Sequence, residues 1–195
     1  MLAAVILSAG ESSRMGSPKA LLDYQGRPFL EHLLEATRHP KIGLTRVVLG
    51  ANAESICRKI KLDPAAVIVN REWKKGQLSS MQAAIRSLRS GETDGILLCL
   101  IDHPLISAAL VGQLIHQFYE SGKLIIIPTY NNKRGHPIIF SSALYGELLE
   151  APSEVGARAV VWNHRDDVLE VPTEEEGVVL NLNDPDTLQR AMGEK

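Results

Sequence analysis

The chain has little cysteine, almost no net charge and no long hydrophobic run, and each shortage excludes a class of protein. Its 195 residues include two cysteines, and no C-x-x-C pair is present to form a zinc site. Cys57 and Cys99 stand in helix-like and strand-like apolar settings, so both are predicted to be reduced residues of the core. The formal net charge of −2 provides no basic field for nucleic acid, so any anion must be bound locally.

The apolar run Leu2–Leu7 is too short to span a membrane or to serve as a signal peptide, and no basic segment precedes it. We therefore expect a cytoplasmic protein with no membrane partner. The length suits one domain over residues 1–195, which would bury roughly 70% of its unfolded surface. Repeats and low-complexity tracts are absent, and the acidic run Glu174–Glu176 is interpreted as a solvated turn.

Apolar segments alternate between strand-like and helix-like patterns along the chain. The predicted strands are Leu2–Leu7, Thr45–Leu49, Ala65–Val69, Gly95–Ile101 and Leu124–Ile127. The predicted helices are a segment after Pro28 that fades at His39-Pro40, then Ala53–Lys61, a segment through Leu78, Met81, Ile85 and Leu88, and Ser107–Glu120 with Ser107 as its N-cap. Such alternation implies right-handed βαβ units, so we predict a Rossmann-like, three-layer α/β/α sandwich with a mostly parallel sheet.

The segment that follows the first predicted strand has the composition of an anion-binding loop. Small residues at Ser8, Ala9 and Gly10 let a backbone approach a ligand closely. Arg14 and Lys19 then add two cations that can make charge-assisted hydrogen bonds, while backbone N–H groups cradle phosphate oxygens. The loop therefore suits a polyphosphate, and the alternative is a surface loop whose Arg and Lys are simply solvated.

Spacing excludes two better-known phosphate loops. A P-loop has four residues between its glycines and a lysine directly after the second one. Here five residues separate Gly10 from Gly16, and Lys19 does not follow Gly16 directly. The dinucleotide fingerprint G-x-G-x-x-G fails because Ser12 stands where its second glycine is needed.

Asp102 directly follows the predicted strand Gly95–Ile101, and ligands bind at the carboxyl ends of parallel strands. A carboxylate there could bind Mg²⁺ that bridges nucleotide phosphate oxygens, because Mg²⁺ prefers one or two carboxylates together with phosphate and water. A turn residue before Pro104 is the alternative. The neighbouring His103 is interpreted as a packing or solvent-facing imidazole.

Three other segments carry polar residues at predicted element ends. Ser79 is predicted to be the N-cap of the helix through Leu78. Gly135-His136-Pro137 is interpreted as a rigid, exposed turn that enters a strand. Asp184, directly before Pro185, has the position of a helix N-cap.

The string L-S-A-G-x-S-x-R-M-G-x-P-K-x-L-L, which runs from Leu7 to Leu22, resembles the nucleotide-binding signature of the MobA-like nucleotidyltransferases. It is most similar to the branch that attaches cytidylate to the molybdenum cofactor, which favours A-A-G-x-S-x-R-M-G-x-x-K. The guanylyl-transferring branch favours A-G-G-x-x-x-R-M-G-G instead. The resemblance extends to Leu188 and implies the fold of the nucleotide-diphospho-sugar transferases.

The resemblance implies roles for individual residues. Implied to be catalytic are Arg14, Lys19 and Asp102. Implied to bind the nucleotide, from the first loop and from N-x-x-W-x-x-G-x-x-x-S beginning at Asn70, are Ser8, Ala9, Gly10, Ser12, Arg14, Gly16, Lys19, Gly76, Ser79 and Ser80. Implied to bind the acceptor, from R-G-H-P and G-A-R, are Arg134, Gly135, His136, Pro137 and Arg158. A surface salt bridge is the alternative for Arg158.

The implied metal ligands are Asp102 and, less directly, Asn183 or Asn181. These asparagines belong to N-L-N-D-P-D, which matches the family's N-I-N-T-P-E or D-I-D-T-P-E. Asp184 departs from that pattern, because it stands where threonine is usual.

The implied reaction moves CMP from CTP to the phosphate of molybdopterin and releases pyrophosphate, with Mg²⁺ as cofactor and a molybdoenzyme as possible receiver of the product. The acceptor phosphate is already ionised, so catalysis is positioning plus charge neutralisation. Ser8, Ser12 and Ser13 accordingly lack a partner His and acid in recognisable order. Alternatives are GTP as donor and a sugar or alditol phosphate as acceptor, although R-G-H-P argues against the latter. A non-catalytic cofactor carrier would need neither Lys19 nor Asp102.

Overall fold

The computed structural model describes residues 1–12, 16–191 and 193, and for residue 185 it describes the backbone only. The strands are β1 (Leu2–Ser8), β2 (Asp23–Tyr24), β3 (Arg27–Pro28), β4 (Ile42–Leu49), β5 (Val67–Val69), β6 (Gly95–Leu100), β7 (Ile125–Tyr130), β8 (Lys133–Arg134), β9 (Ile138–Ser141) and β10 (Val168–Pro172). The helices are α1 (Phe29–Ala36), α2 (Ala53–Lys59), α3 (Gln77–Arg86), α4 (Ala108–Ser121), α5 (Tyr145–Glu150), α6 (Arg158–Asn163) and α7 (Pro185–Ala191).

The main sheet has the strand order β10-β7-β9-β6-β1-β4-β5, and β8 pairs with β7 at its margin. β9 runs antiparallel to both of its neighbours, and the other neighbouring strands along this order are parallel. Ile138 at the start of β9 pairs with Leu98 near the end of β6. The turn before β9 therefore lies at the edge where the parallel strands end, which is the ligand-binding edge of such a sheet.

β1 is buried along its whole length and divides its side chains between the two faces of the sheet. Leu2 and Ile6 belong to a core with residues of α1 and α4, whereas Val5 and Leu7 belong to a core with residues of α3 and α5. Successive strand residues point to opposite faces, so a continuous apolar strand needs helices on both sides. The predicted three-layer α/β/α arrangement with a mostly parallel sheet is confirmed.

The predicted elements recur with small shifts at their ends. The strand predicted at Ala65–Val69 begins at Val67, because a 3₁₀ turn occupies Pro64–Ala66. Ser107 is confirmed as the N-cap of α4, since its Oγ accepts a hydrogen bond from the N–H of Leu110. Across the described residues, no helix has the length and apolar content that crossing a bilayer requires.

Cys99 has the predicted buried environment, whereas the environments of Cys57 and Glu175 differ from the prediction. Cys99 is buried in β6, and burial raises the pKa of its thiol to about 12. Cys57 is exposed, because its neighbour Ile56 is the residue of α2 that faces the core. The expected solvated turn at 174–176 is also incorrect at Glu175, whose carboxylate accepts hydrogen bonds from the N–H and the Oγ–H of Ser107.

Candidate active site at the carboxyl edge of the sheet

Packing against residues 50 and 51 holds the beginning of the loop after β1 in place. Ser8 and Ala9 are buried, and the carbonyl of Ala9 accepts a hydrogen bond of 3.1 Å from the N–H of Ala51. Gly50 makes this approach possible, because a Cβ there would lie 2.3 Å from the Ala9 carbonyl oxygen. The Oγ of Ser12 accepts a 3.0 Å hydrogen bond from the N–H of Lys19, which closes the loop. Arg14 lies outside the described residues.

Lys19 lies between two oxygen-bearing side chains from distant parts of the chain. Its Nζ donates to the Oδ1 of Asn183 and lies 3.6 Å from the Oδ2 of Asp102. The side chains of Lys19 and Asp102 are 14% and 19% exposed, so solvent only partly screens this pair. The predicted strand-end carboxylate and the predicted loop cation therefore lie side by side.

A backbone hydrogen bond holds the segment 181–183 against Asp102. The N–H of Leu182 donates to the carbonyl of Asp102 at 2.8 Å. The Oδ1 of Asn181 is buried and has no hydrogen-bond partner among the described residues. Asp184 accepts a 2.8 Å hydrogen bond from the N–H of Thr187 at the start of α7, which agrees with the predicted N-cap.

Asn70 organises the loop that leads into α3. Its Nδ2 donates to the Oγ of Ser79 at 2.9 Å and of Ser80 at 3.0 Å, and its Oδ1 accepts from the N–H of Glu72. The predicted N-cap role of Ser79 is wrong, because α3 begins earlier, after Gly76. Gly76 has φ +95°, a conformation that favours glycine, and the Ser79 hydroxyl donates to its carbonyl.

These segments enclose a cavity of about 300 Å³ at the carboxyl ends of β1 and β6. The residues implied to bind the nucleotide that line it are Ser8, Ala9, Gly10, Ser12, Lys19, Gly76 and Ser80, together with Asp102. Two other residues with the same implied role lie elsewhere. Gly16 does not line the cavity, and Ser79 lines a separate one beside Asn70 and Glu72.

A second cavity, of about 610 Å³, lies next to the first and shares Leu7 and Gln77 with it. The residues implied to bind the acceptor that line it are Arg134, Gly135, His136 and Arg158, whereas Pro137 does not. Sequence reasoning missed Gln77, which borders both cavities, and Trp162, which lies at the second. Gln77 directly follows the glycine of the family motif, and that position was the signal that could have identified it.

The turn at 135–137 is not exposed as predicted, because Gly135 and Pro137 are buried and His136 is half-buried. A Cβ on Gly135 would lie 2.3 Å from the carbonyl oxygen of Val178, to which the N–H of His136 donates at 2.8 Å. The 3₁₀ turn Glu176–Val178 therefore covers this segment. Because Val178 is far away in sequence, the pattern around Gly135 alone does not reveal the contact.

His103, which is buried, and His136, which is half-buried and lines the second cavity, have their rings in contact. Their ring centroids are 5.3 Å apart, and the Nδ1 atoms of both lack a hydrogen-bond partner among the described residues. Burial lowers the pKa of His103, and burial together with the neighbouring His103 lowers the pKa of His136 to about 4. Both imidazoles are therefore neutral at neutral pH. The burial of His103 agrees with its interpretation as a packing imidazole and not with the solvent-facing one.

The oxygen donors beside Lys19 suit a hard divalent cation. Asp102 provides a carboxylate and Asn183 an amide oxygen, and both already contact a cation, the Lys19 ammonium. No cluster of three or more His, Cys, Asp or Glu that could hold a metal occurs in the described part of the chain. This donor set fits Mg²⁺, which usually takes one or two carboxylates and completes its shell with phosphate and water.

Comparison with known proteins agrees with this geometry. Residues 4–168 match the MobA-like NTP transferase domain. Nicotine blue oxidoreductase of Paenarthrobacter nicotinovorans is 32% identical over 79% of this chain and 78% of its own length. The crystal structure of Rv0371c from Mycobacterium tuberculosis has a TM-score of 0.84 and 27% identity, covering 99% of this chain and 98% of that one.

Rv0371c has also been solved as a complex with manganese, with a TM-score of 0.81 and 26% identity over 100% of this chain and 99% of that one. The molybdopterin-guanine dinucleotide biosynthesis protein A of Archaeoglobus fulgidus has a TM-score of 0.72 at 20% identity and covers 98% of this chain and 97% of its own, which shows the shared fold. The family match covers most of the chain and includes the loop after β1 and Asp102. The chain therefore belongs to the family of the MobA-like NTP transferase domain and is a nucleotidyltransferase.

Proposed function

We propose that this protein transfers CMP from CTP to the terminal phosphate of molybdopterin and releases pyrophosphate. The observation that carries the proposal is the pair of adjoining cavities that share Leu7 and Gln77. Ser8, Ala9, Gly10, Ser12 and Lys19 of the family signature line the smaller one, and Arg158 lines the larger one. A donor and an acceptor bound in neighbouring sites gain reactivity by proximity and orientation.

In the proposed step, an oxygen of the acceptor phosphate attacks the α-phosphorus of CTP. A new P–O bond forms, the bond from the α-phosphorus to the bridging oxygen of pyrophosphate breaks, and its electron pair leaves with pyrophosphate. An ionised phosphate needs no general base, so the neutral His136 is not required to accept a proton. The Lys19 ammonium would neutralise negative charge that develops on the phosphates, and we propose the same role for Arg14.

The nucleotide would lie against the small residues after β1, with Ser80 and Gly76 near its base. We propose cytosine as that base because Ser8-Ala9-Gly10 is closer to the A-A-G of the cytidylyl-transferring branch than to the A-G-G of the guanylyl-transferring branch. Asp102 and Asn183 would hold Mg²⁺, which supplies further neutralisation of phosphate charge when it is bound. The manganese complex of Rv0371c supports a divalent metal in this family. Residues 1–195 would form one domain, and a molybdoenzyme would receive the product.

The acceptor would occupy the larger cavity. Arg134, Gly135, His136 and Arg158 line it, and Arg158 would pair with the acceptor phosphate. Arg134 is less available for this role, because its guanidinium lies 2.7 Å from the carboxylate of Glu170.

A panel of CTP, GTP, ATP and UTP tests the proposal by measuring pyrophosphate release with Mg²⁺ in the presence and absence of molybdopterin. We expect release with CTP that depends on molybdopterin. Molybdopterin-dependent release with GTP and not with CTP would contradict cytosine as the base and would leave molybdopterin as the acceptor. Release with N-acetylglucosamine 1-phosphate in place of molybdopterin would contradict the acceptor, and no release under any condition would contradict the transfer itself.

A further inference from the structure

The second cavity has an apolar interior that the proposed phosphate contact does not use. Buried side chains from α3, β6 and β9 line it, among them Met81, Leu98 and Phe140. The cavity is also lined by residues 155–158, 161 and 162, which lead into and form α6. A ligand in this site can therefore make apolar contacts, while the polar side chains at the cavity orient it.

Trp162 on α6 is the most exposed large apolar side chain of the described residues, with 61% of its surface accessible. Val155, also at this cavity, is 36% exposed. An indole beside a concave site provides a large, flat surface on which another ring can stack. The exposure of Trp162 is therefore expected to fall when the cavity is filled.

Arg158 is the charged side chain at this cavity that can pair with an anionic ligand. It is exposed and, within the described residues, has no hydrogen-bond or ion-pair partner, in contrast to Arg134, which pairs with Glu170. Arg158 and Trp162 are four residues apart on α6, and side chains at this spacing lie on the same face of a helix. The cation and the indole therefore border one cavity together.

We propose that Trp162 is the side chain on which the flat heteroaromatic ring of the acceptor stacks, while the anionic group of the acceptor pairs with Arg158. This inference rests on the proposed function, because it takes the second cavity to be the acceptor site. It adds Trp162 as a residue that determines specificity. A sugar phosphate has no flat ring to stack on Trp162, so its binding is not expected to depend on that side chain.

Pterin-6-carboxylate is a suitable probe because it combines a flat heteroaromatic ring with one negative charge. The chain has two tryptophans, so Trp73→Phe leaves Trp162 as the only one. In that variant we expect the probe to quench tryptophan emission. In calorimetry, Trp162→Ala should bind the probe roughly tenfold more weakly, within the range measured for aromatic stacking of bases. Trp162→Phe, which keeps a ring, should retain most of the affinity.

Arg158 is tested with a matched pair of probes. Arg158→Ala should weaken the binding of pterin-6-carboxylate and leave that of the uncharged 6-methylpterin unchanged. Arg165→Ala serves as the control, because Arg165 is exposed and does not line the cavity. N-acetylglucosamine 1-phosphate tests the ring requirement, and Trp162→Ala should not change its binding.

Equal affinity of Trp162→Ala and the unchanged protein for pterin-6-carboxylate would overturn the inference, and so would absence of quenching in Trp73→Phe. Binding of the probes needs neither CTP nor turnover, so the two proposals can fail separately. Probe binding that depends on Trp162, without pyrophosphate release in the nucleotide panel, would contradict the transfer and support the ring site. Turnover with molybdopterin at an unchanged KM in Trp162→Ala would contradict the ring site and support the transfer.

Discussion

Replacing Lys19 by alanine removes an ammonium that lies 3.6 Å from the Asp102 carboxylate and donates to Asn183. A hydrogen bond to a charged group contributes about 1.5–3 kcal/mol, and partial exposure of this pair reduces the expected loss to about 1–2 kcal/mol. For a chain of this length, such a loss corresponds to a fall in Tm of about 2–8 °C.

The expected loss of turnover is larger than the loss of stability. If the ammonium neutralises charge in the transition state, its removal should lower kcat by about 10²–10³, or about 2.7–4 kcal/mol. The Lys19 ammonium also attracts the phosphates of CTP before the reaction, so its removal should raise the dissociation constant of CTP as well. The effect on kcat should exceed the effect on binding, because negative charge on the leaving pyrophosphate increases as the reaction proceeds.

Pyrophosphate release at saturating CTP and molybdopterin measures kcat, calorimetry measures CTP binding, and thermal unfolding measures stability. Lys19→Arg keeps the charge and should recover part of the rate. Lys59→Ala is the matched control, because Lys59 is exposed at the end of α2. The reasoning would be refuted if Lys19→Ala lowered Tm by clearly more than about 8 °C and left kcat near its original value.

Four further changes have defined outcomes. Asp102→Ala should abolish metal-dependent pyrophosphate release and leave the far-UV circular dichroism spectrum unchanged; normal turnover would refute its role as a metal ligand. Arg158→Ala should raise the KM for molybdopterin by about tenfold without changing CTP affinity, whereas Arg165→Ala should change neither, and a loss of CTP affinity would move Arg158 to the nucleotide site. Burial lowers the pKa of His136 from 6.5 to about 4, so its contribution to stability is complete above about pH 6.5 and is lost as the pH falls towards 4, by about 3 kcal/mol at 1.36 kcal/mol per unit. His136→Gln should flatten the dependence of the free energy of unfolding on pH over that window, as measured by urea unfolding. An unchanged dependence on pH would contradict a neutral imidazole in the folded protein. Glu175→Ala removes two hydrogen bonds to the N-cap of α4 and should lower the free energy of unfolding by about 1–2 kcal/mol; an unchanged urea midpoint would show that these bonds contribute nothing.

The strands and the layer arrangement could be predicted because they follow from local pattern. A continuous apolar run such as β1 or β6 must be covered on both faces, which requires helices on both sides of the sheet. Because ligands bind where parallel strands end, Lys19 and Asp102 could be assigned to one site, and their side chains lie next to each other in the structure. Their proximity needed no knowledge of side-chain packing.

Two of the errors concern contacts between segments far apart in sequence. The turn at Gly135 is buried because the carbonyl of Val178 packs against it, and Glu175 is bound because Ser107 begins a helix nearby. Cys57 is exposed because its helix turns the neighbouring residue to the core. Residue type at one position does not determine which side of a turn or short helix is covered.

The central claim is that a nucleotidyl group passes between the two adjoining cavities, and the fate of isotopic label tests it most directly. CTP labelled at the α-phosphate and CTP labelled at the γ-phosphate are each incubated with the protein, Mg²⁺ and molybdopterin, and the products are separated. We predict that the α-label appears in the pterin product in a one-to-one ratio with released pyrophosphate, which carries the γ-label. Recovery of the α-label only as CTP or free CMP would contradict the account.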